Sequence, residues 1–97
     1  MKNFRTYDLA LEFYHQSSKL KLTGALRDQF ERASLSIVLN LAEGGAKPTR
    51  KDRRKFYRIA LGSLRETQAI LQIKNEKNLL KKSDTLGAHL YKLCQNT

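Results

Sequence analysis

An all-α fold, an antiparallel up-down-up-down bundle of four helices in one domain, is predicted by three observations. Four stretches of the 97-residue chain repeat apolar residues at three- and four-residue steps. No stretch shows the sustained alternation of a half-buried strand. The connections, near residues 21–24, 44–48 and 74–76, are short, which makes consecutive helices antiparallel neighbours.

The first helix is predicted over about 6–20, where Phe4, Tyr7, Leu11 and Tyr14 form a face widened by Leu9 and Phe13. Thr6 or Asn3 can cap it, and Lys19, Lys21 and Gly24 suit its end. The second, over about 25–43, carries Leu26, Phe30, Ala33, Ile37 and Leu41 on one seam. From Ala33 onward it is apolar almost all round, because Leu35, Val38, Leu39 and Ala42 occupy its other sides. A helix buried on one face needs a polar stripe, so this one is expected to face both its own core and a second subunit. Gly44-Gly45 and Pro48 end it.

The third helix is predicted over about 49–74. Thr49 and Asp52 form a capping-box-like start, followed by a seam of Phe56, Ile59, Ala60, Ser63, Thr67 and Ile70. A second seam holds Tyr57, Leu61, Leu64, Gln68 and Leu71, again implying more than one neighbour, and Gly62 is expected to let another helix come close. The fourth helix, over about 76–95, places Leu79, Ser83, Leu86, Leu90 and Leu93 together. Ser83 is an alternative start for it.

Composition narrows the function. One proline and five glycines exclude collagen-like and most disordered chains, and no apolar run approaches the roughly 18 residues that span a bilayer. The single cysteine, Cys94, excludes an internal disulfide and a cysteine-based zinc site. The first eight residues show no signal-peptide pattern, so a cytoplasmic protein is expected.

The net charge of +10 is concentrated. Between residues 47 and 58 stand Lys47, Arg50, Lys51, Arg53, Arg54, Lys55 and Arg58 against the one acid Asp52, which accounts for +6 of the total. Arg50, Arg54, Arg58 and Arg65 share a helix face, with Lys47, Lys51 and Lys55 near its edge. Cations at a helix N-terminus oppose the macrodipole, so a polyanionic partner, nucleic acid, explains them better than helix stability does. Lys74, Lys77, Lys81 and Lys82 form a weaker set that reads as a solvated face. Tyr57 offers a ring to a base, but its place in an apolar seam assigns it to packing. No element that reads base edges is recognisable.

Catalytic patterns are missing. His15 and His89 lie on different helices without metal-ligand spacing, Gly44-Gly45-Ala46-Lys47 lacks the P-loop ending, and Ser34, Ser36 and Ser63 have no evident base. No enzyme activity, cofactor or metal is expected. Asn40, Glu43 and Glu66 fall within or beside apolar stretches, where a polar network with Arg32 or Arg65 as counter-cation is the reading.

The segment Arg32-Ala33-Ser34-Leu35-Ser36-Ile37-Val38-Leu39-Asn40-Leu41-Ala42-Glu43-Gly44 resembles the RAxxSIxxNIAEG hallmark of the 23S rRNA intervening-sequence proteins, with Leu41 in place of the commoner Ile. Ile59-Ala60-Leu61-Gly62-Ser63-Leu64-Arg65-Glu66 is similar to their second hallmark, IALGSLxE, and Tyr7-Asp8-Leu9-Ala10-Leu11 to their opening. The connection near 21–24 looks shorter than in many members. The resemblance implies antiparallel four-helix subunits in a homo-oligomeric ring, typically a pentamer, with a basic surface. It also implies kinship with the accessory variability determinant proteins of diversity-generating retroelements, which bind nucleic acid and a reverse transcriptase. By that resemblance Asn40, Glu43, Gly44, Gly62, Ser63 and Glu66 serve packing or assembly, and RNA is favoured as ligand. The competing expectation is an adaptor that recruits a reverse transcriptase or a ribosome-associated factor.

Overall fold

The computed structural model describes residues 4–97, so Asn3, one of the two candidate caps of the first helix, lies outside the described residues. Four helices follow one another: α1 (Arg5–Ser17), α2 (Gly24–Gly45), α3 (Arg50–Ile73) and α4 (Lys77–Gln95). Among the described residues there is no strand. α1 packs on α2 and α4, and α3 packs on the same two helices, closing a four-helix bundle of 39 × 22 × 19 Å. The chain between residues 4 and 97 forms one core, to which all four helices contribute.

α1 buries a different stripe from the one its large residues suggest. Thr6, Ala10, Phe13 and Ser17 are buried, while Phe4, Tyr7, Leu11 and Tyr14 lie partly buried at the margins. Small side chains at Thr6, Ala10 and Ser17 let the helix approach its neighbours, and the aromatic rings then close over the edges of the contact. Phe4, with no side-chain cap bond, precedes the helix, so Thr6 is a packing residue rather than the cap. α1 also stops at Ser17, before Lys19 and Lys21. Gly24, at φ +60°, opens α2 instead of closing α1. That left-handed geometry favours glycine at this corner.

On α2 the seam Phe30, Ala33, Ile37 and Leu41 is buried with Ser34, Val38 and Gly44. The helix runs through Gly45, so Gly44 is helical. Its missing side chain makes room: a Cβ there would meet Tyr57 Cε1 at 2.6 Å and Cδ1 at 2.9 Å. Gly62, where a close helix approach was expected, has nothing within 4 Å of a Cβ position and is exposed. The tight approaches fall at Gly44, and at Gly87, where a Cβ would stand 3.2 Å from Leu64 Cδ2.

Thr49 caps α3, its Oγ1 accepting from the Asp52 amide at 3.2 Å. Asn75, at φ 55°, ends it: the Asn75 amide donates to the Gln72 carbonyl (3.1 Å) and the Glu76 amide to the Leu71 carbonyl (2.9 Å). This is the two-bond Schellman closure, with Asn serving where Gly is commoner. Both predicted seams of α3 enter the chain's own core to a large extent, since Ala60, Thr67 and Ile70 are buried alongside Tyr57, Leu64 and Leu71. α4 begins at Lys77 and not at Ser83, which is buried mid-helix with its hydroxyl donating to the Leu80 carbonyl at 2.6 Å.

Candidate nucleic-acid interface

The cations between residues 47 and 58 emerge from the α2–α3 connection and the first turns of α3, and the structure divides them by environment. Arg50, Lys51, Lys55 and Arg58 are exposed. Arg53 turns back onto the connection, its Nη1 donating to the carbonyls of Lys47 and Pro48, each at 3.0 Å. Those carbonyls follow the end of α2, where the helix ladder no longer satisfies them. Arg54 reaches across to the segment that follows α4 and donates through Nη2 to the Thr97 main-chain oxygen, while its buried Nε has no partner. Lys47 pairs with Glu43 at 3.2 Å and lies 5.2 Å from the Phe56 ring centroid, with the Lys55 ammonium 6.0 Å away on the same ring. The single ridge read from helical spacing is therefore two flanks, one around Phe56 and one along the α3–α4 seam. Arg53 and Arg54 within it are already engaged by the fold.

The aromatic residue at this site is not where a base would need it. Tyr57 is only 4 % exposed and meets Phe4 edge-on at 5.9 Å. Burial pushes its phenol above the ordinary value of 10.0, partly offset by the positive charge of Arg53. The exposed tyrosine is Tyr91, on α4. It sits outside the basic cluster in sequence, and the pairing of α3 with α4 places it on one surface with Arg65. Half-buried Cys94 lies close enough to Arg58 to feel its charge. Burial raises the Cys94 thiol above its usual 9.0, and Arg58 partly counteracts this.

A second surface spans α2 and α3 and gathers the residues of the two longest sequence motifs. Arg32 donates to the Glu66 carboxylate at 2.7 Å and to Gln29 at 2.5 Å. Ser36 and Ser63 share a hydrogen bond of 2.8 Å between hydroxyls, and the Asn40 amide donates to the Ser36 carbonyl and hydroxyl at 2.8 and 3.0 Å. Glu43 and Glu66, expected beside apolar surroundings, are exposed, so their ion pairs carry little desolvation cost. Arg32 rather than Arg65 is the partner of Glu66, because Arg65 donates to Gln68 at 2.9 Å. Flanking these pairs, Leu35, Leu39 and Ile59 are 42 %, 55 % and 44 % exposed.

His15 and His89 remain apart, on α1 and α4, and among the described residues no three His, Cys, Asp or Glu side chains are grouped to hold a metal ion. No helix among the described residues is long and apolar enough to cross a membrane. A family model described as 23S rRNA-intervening sequence protein matches residues 4–97. No curated protein and no solved structure matches the chain.

Proposed function

Because the chain belongs to the 23S rRNA-intervening sequence protein family, we propose that it is a nonenzymatic, ring-forming cytoplasmic protein that binds nucleic acid, RNA in preference, through the start of α3. The observation that carries this reading is the exposed group Arg50, Lys51, Lys55 and Arg58, four cations beside the one acid Asp52. Phosphates bound there release counterions, and Arg engages them bidentately. Affinity for a single-stranded RNA, measured over a salt series, tests it. Replacing these four residues by Gln lowers affinity at least about tenfold and flattens the salt slope by up to about 0.7 per lost contact. Unchanged binding refutes the assignment.

The antiparallel course of the helices is part of the same proposal. It is supported by the α3–α4 pairings, in which Arg54 meets Thr97, Gln68 meets Asp84, and Arg58 influences Cys94 between them. Assembly, with five subunits favoured, is supported by the exposed Leu35 and Leu39 of α2 and Ile59 of α3, which leave apolar area for a second subunit to cover. Light scattering that finds a stable monomer at micromolar concentration overturns the ring. The same surface then favours the adaptor reading, in which a reverse transcriptase or ribosome-associated factor covers it; a partner of that kind survives nuclease treatment and high salt.

A further inference from the structure

A cleft of about 380 Å³ opens on the seam between α3 and α4, lined by Arg65, Asp84, Gly87, Ala88 and Tyr91. Gly87 is buried and Ala88 carries only a methyl group, so the floor is shallow and lacks a projecting side chain. Tyr91, 53 % exposed, provides one wall, and its hydroxyl accepts from Gln95 Nε2 at 3.1 Å, a bond that holds the ring along its helix. Opposite it the exposed Arg65 spends one N–H group on Gln68, and Gln68 in turn donates to Ser83 and Asp84 at 3.2 Å each. Asp84, the one acid in the lining, is thus fixed as an acceptor. Arg58 lies two helical turns before Arg65 on α3, its charge reaching Cys94 one turn beyond Tyr91.

We infer that this cleft is a subsite for an unpaired nucleobase, which stacks on Tyr91 while the flanking phosphates rest on Arg58 and Arg65. The inference rests on the nucleic-acid reading and narrows it from polyanions in general to single strands. A ring that is exposed on a helix seam, with Arg65 lining the same cleft and Arg58 two turns earlier on α3, has the chemistry of a stacking platform, because every base has a π-face and its backbone needs cations alongside. A duplex keeps its bases stacked on one another and offers Tyr91 nothing. The Asp84 carboxylate suits a base with an exocyclic amino group, such as cytosine.

The test uses the full chain and fluorescence anisotropy with two probes, an oligocytidine RNA of about 16 nucleotides and an RNA duplex of equal length. Tyr91→Ala weakens binding of the single strand by about five- to 150-fold and changes duplex binding less than about twofold. Tyr91→Phe, which keeps the π-face and gives up only the hydroxyl bond to Gln95, falls between the parent and Tyr91→Ala, and Ala88→Leu, which fills the floor but leaves the ring, loses affinity. The salt slope of Tyr91→Ala equals that of the parent, since no phosphate contact is removed. Equal losses on both probes, or an unchanged single-strand affinity in Tyr91→Ala, overturn the subsite while leaving the polyanion reading in place. A parent chain that binds neither probe overturns both.

Discussion

Adding one methyl group at Gly44 has a consequence whose sign follows from geometry. The new Cβ would stand 2.6 Å from Tyr57 Cε1, 2.9 Å from Cδ1 and 3.1 Å from Phe56 Cβ. Tyr57 cannot swing away cheaply, because its ring is buried and braced by Phe4. Overpacking of a fixed neighbour costs about 3 kcal/mol at the upper end of its usual range, and replacing helical Gly by Ala returns at most about 1 kcal/mol. The net loss in Gly44→Ala is about 2 kcal/mol, which for a domain of this size lowers Tm by roughly 8–16 °C. Gly62→Ala is the matched control from the other motif. With nothing within 4 Å of the added Cβ, the helical gain stands alone and raises Tm by a few degrees. Thermal unfolding followed by circular dichroism at low protein concentration reads both. A Gly44→Ala protein as stable as its parent would show that α2 and α3 do not approach as described. Combining it with Tyr57→Leu, which removes the ring atoms in the clash, recovers part of the loss and measures the coupling directly.

Other outcomes follow from the same structure. Arg53→Ala, by stripping a charged donor from the Lys47 and Pro48 carbonyls, destabilises the fold by about 1–3 kcal/mol in chemical denaturation, whereas Lys51→Ala changes it by less than about 0.5 kcal/mol. Above pH 10 the unfolded chain ionises Tyr57 more readily than the native one, whose phenol is held up by burial. Stability therefore falls as pH rises past the unfolded value, and Tyr57→Phe removes that part of the fall in Tm. At pH ~8 iodoacetamide alkylates Cys94 more slowly in the folded protein than in urea, and Arg58→Gln slows it further by removing the charge that favours the thiolate.

The four helices were legible from spacing because each carries an apolar seam longer than any competing pattern. The seam of α4 maps onto buried Ser83, Leu86 and Leu90 almost directly. Ends were less legible. Nothing in periodicity distinguishes Gly24 as the opening of α2 from Gly24 as the close of α1, since one left-handed residue serves either role. The candidate site shows a sharper divide. Helical spacing grouped Arg54 with Arg50 and Arg58 by angle alone, and no angle reveals that the guanidinium of Arg54 reaches the oxygen of Thr97, just past the end of α4. Tyr91 was missed for the same reason: it lies 26 residues after Arg65 in the chain and meets it only through the packing of α4 on α3. One signal did exist, because Tyr91 stands next to Lys92 and follows Leu90 outside the apolar seam of α4.

The Ser36–Ser63 pair has one hydrogen bond and two hydroxyl protons, so one proton is always surplus, and either oxygen can hold it. Two small rotations exchange the roles without moving a heavy atom. The polar spot between Leu35, Leu39 and Ile59 can therefore present a donor from either side of the seam, following whatever acceptor is pressed against it. A surface of that kind does not choose its partner by hydrogen-bond sense. Were a partner to press on this face, selection would fall to the contour of its three aliphatic side chains and to the fixed charges of Arg32 and Glu66, which cannot be reversed by turning a bond.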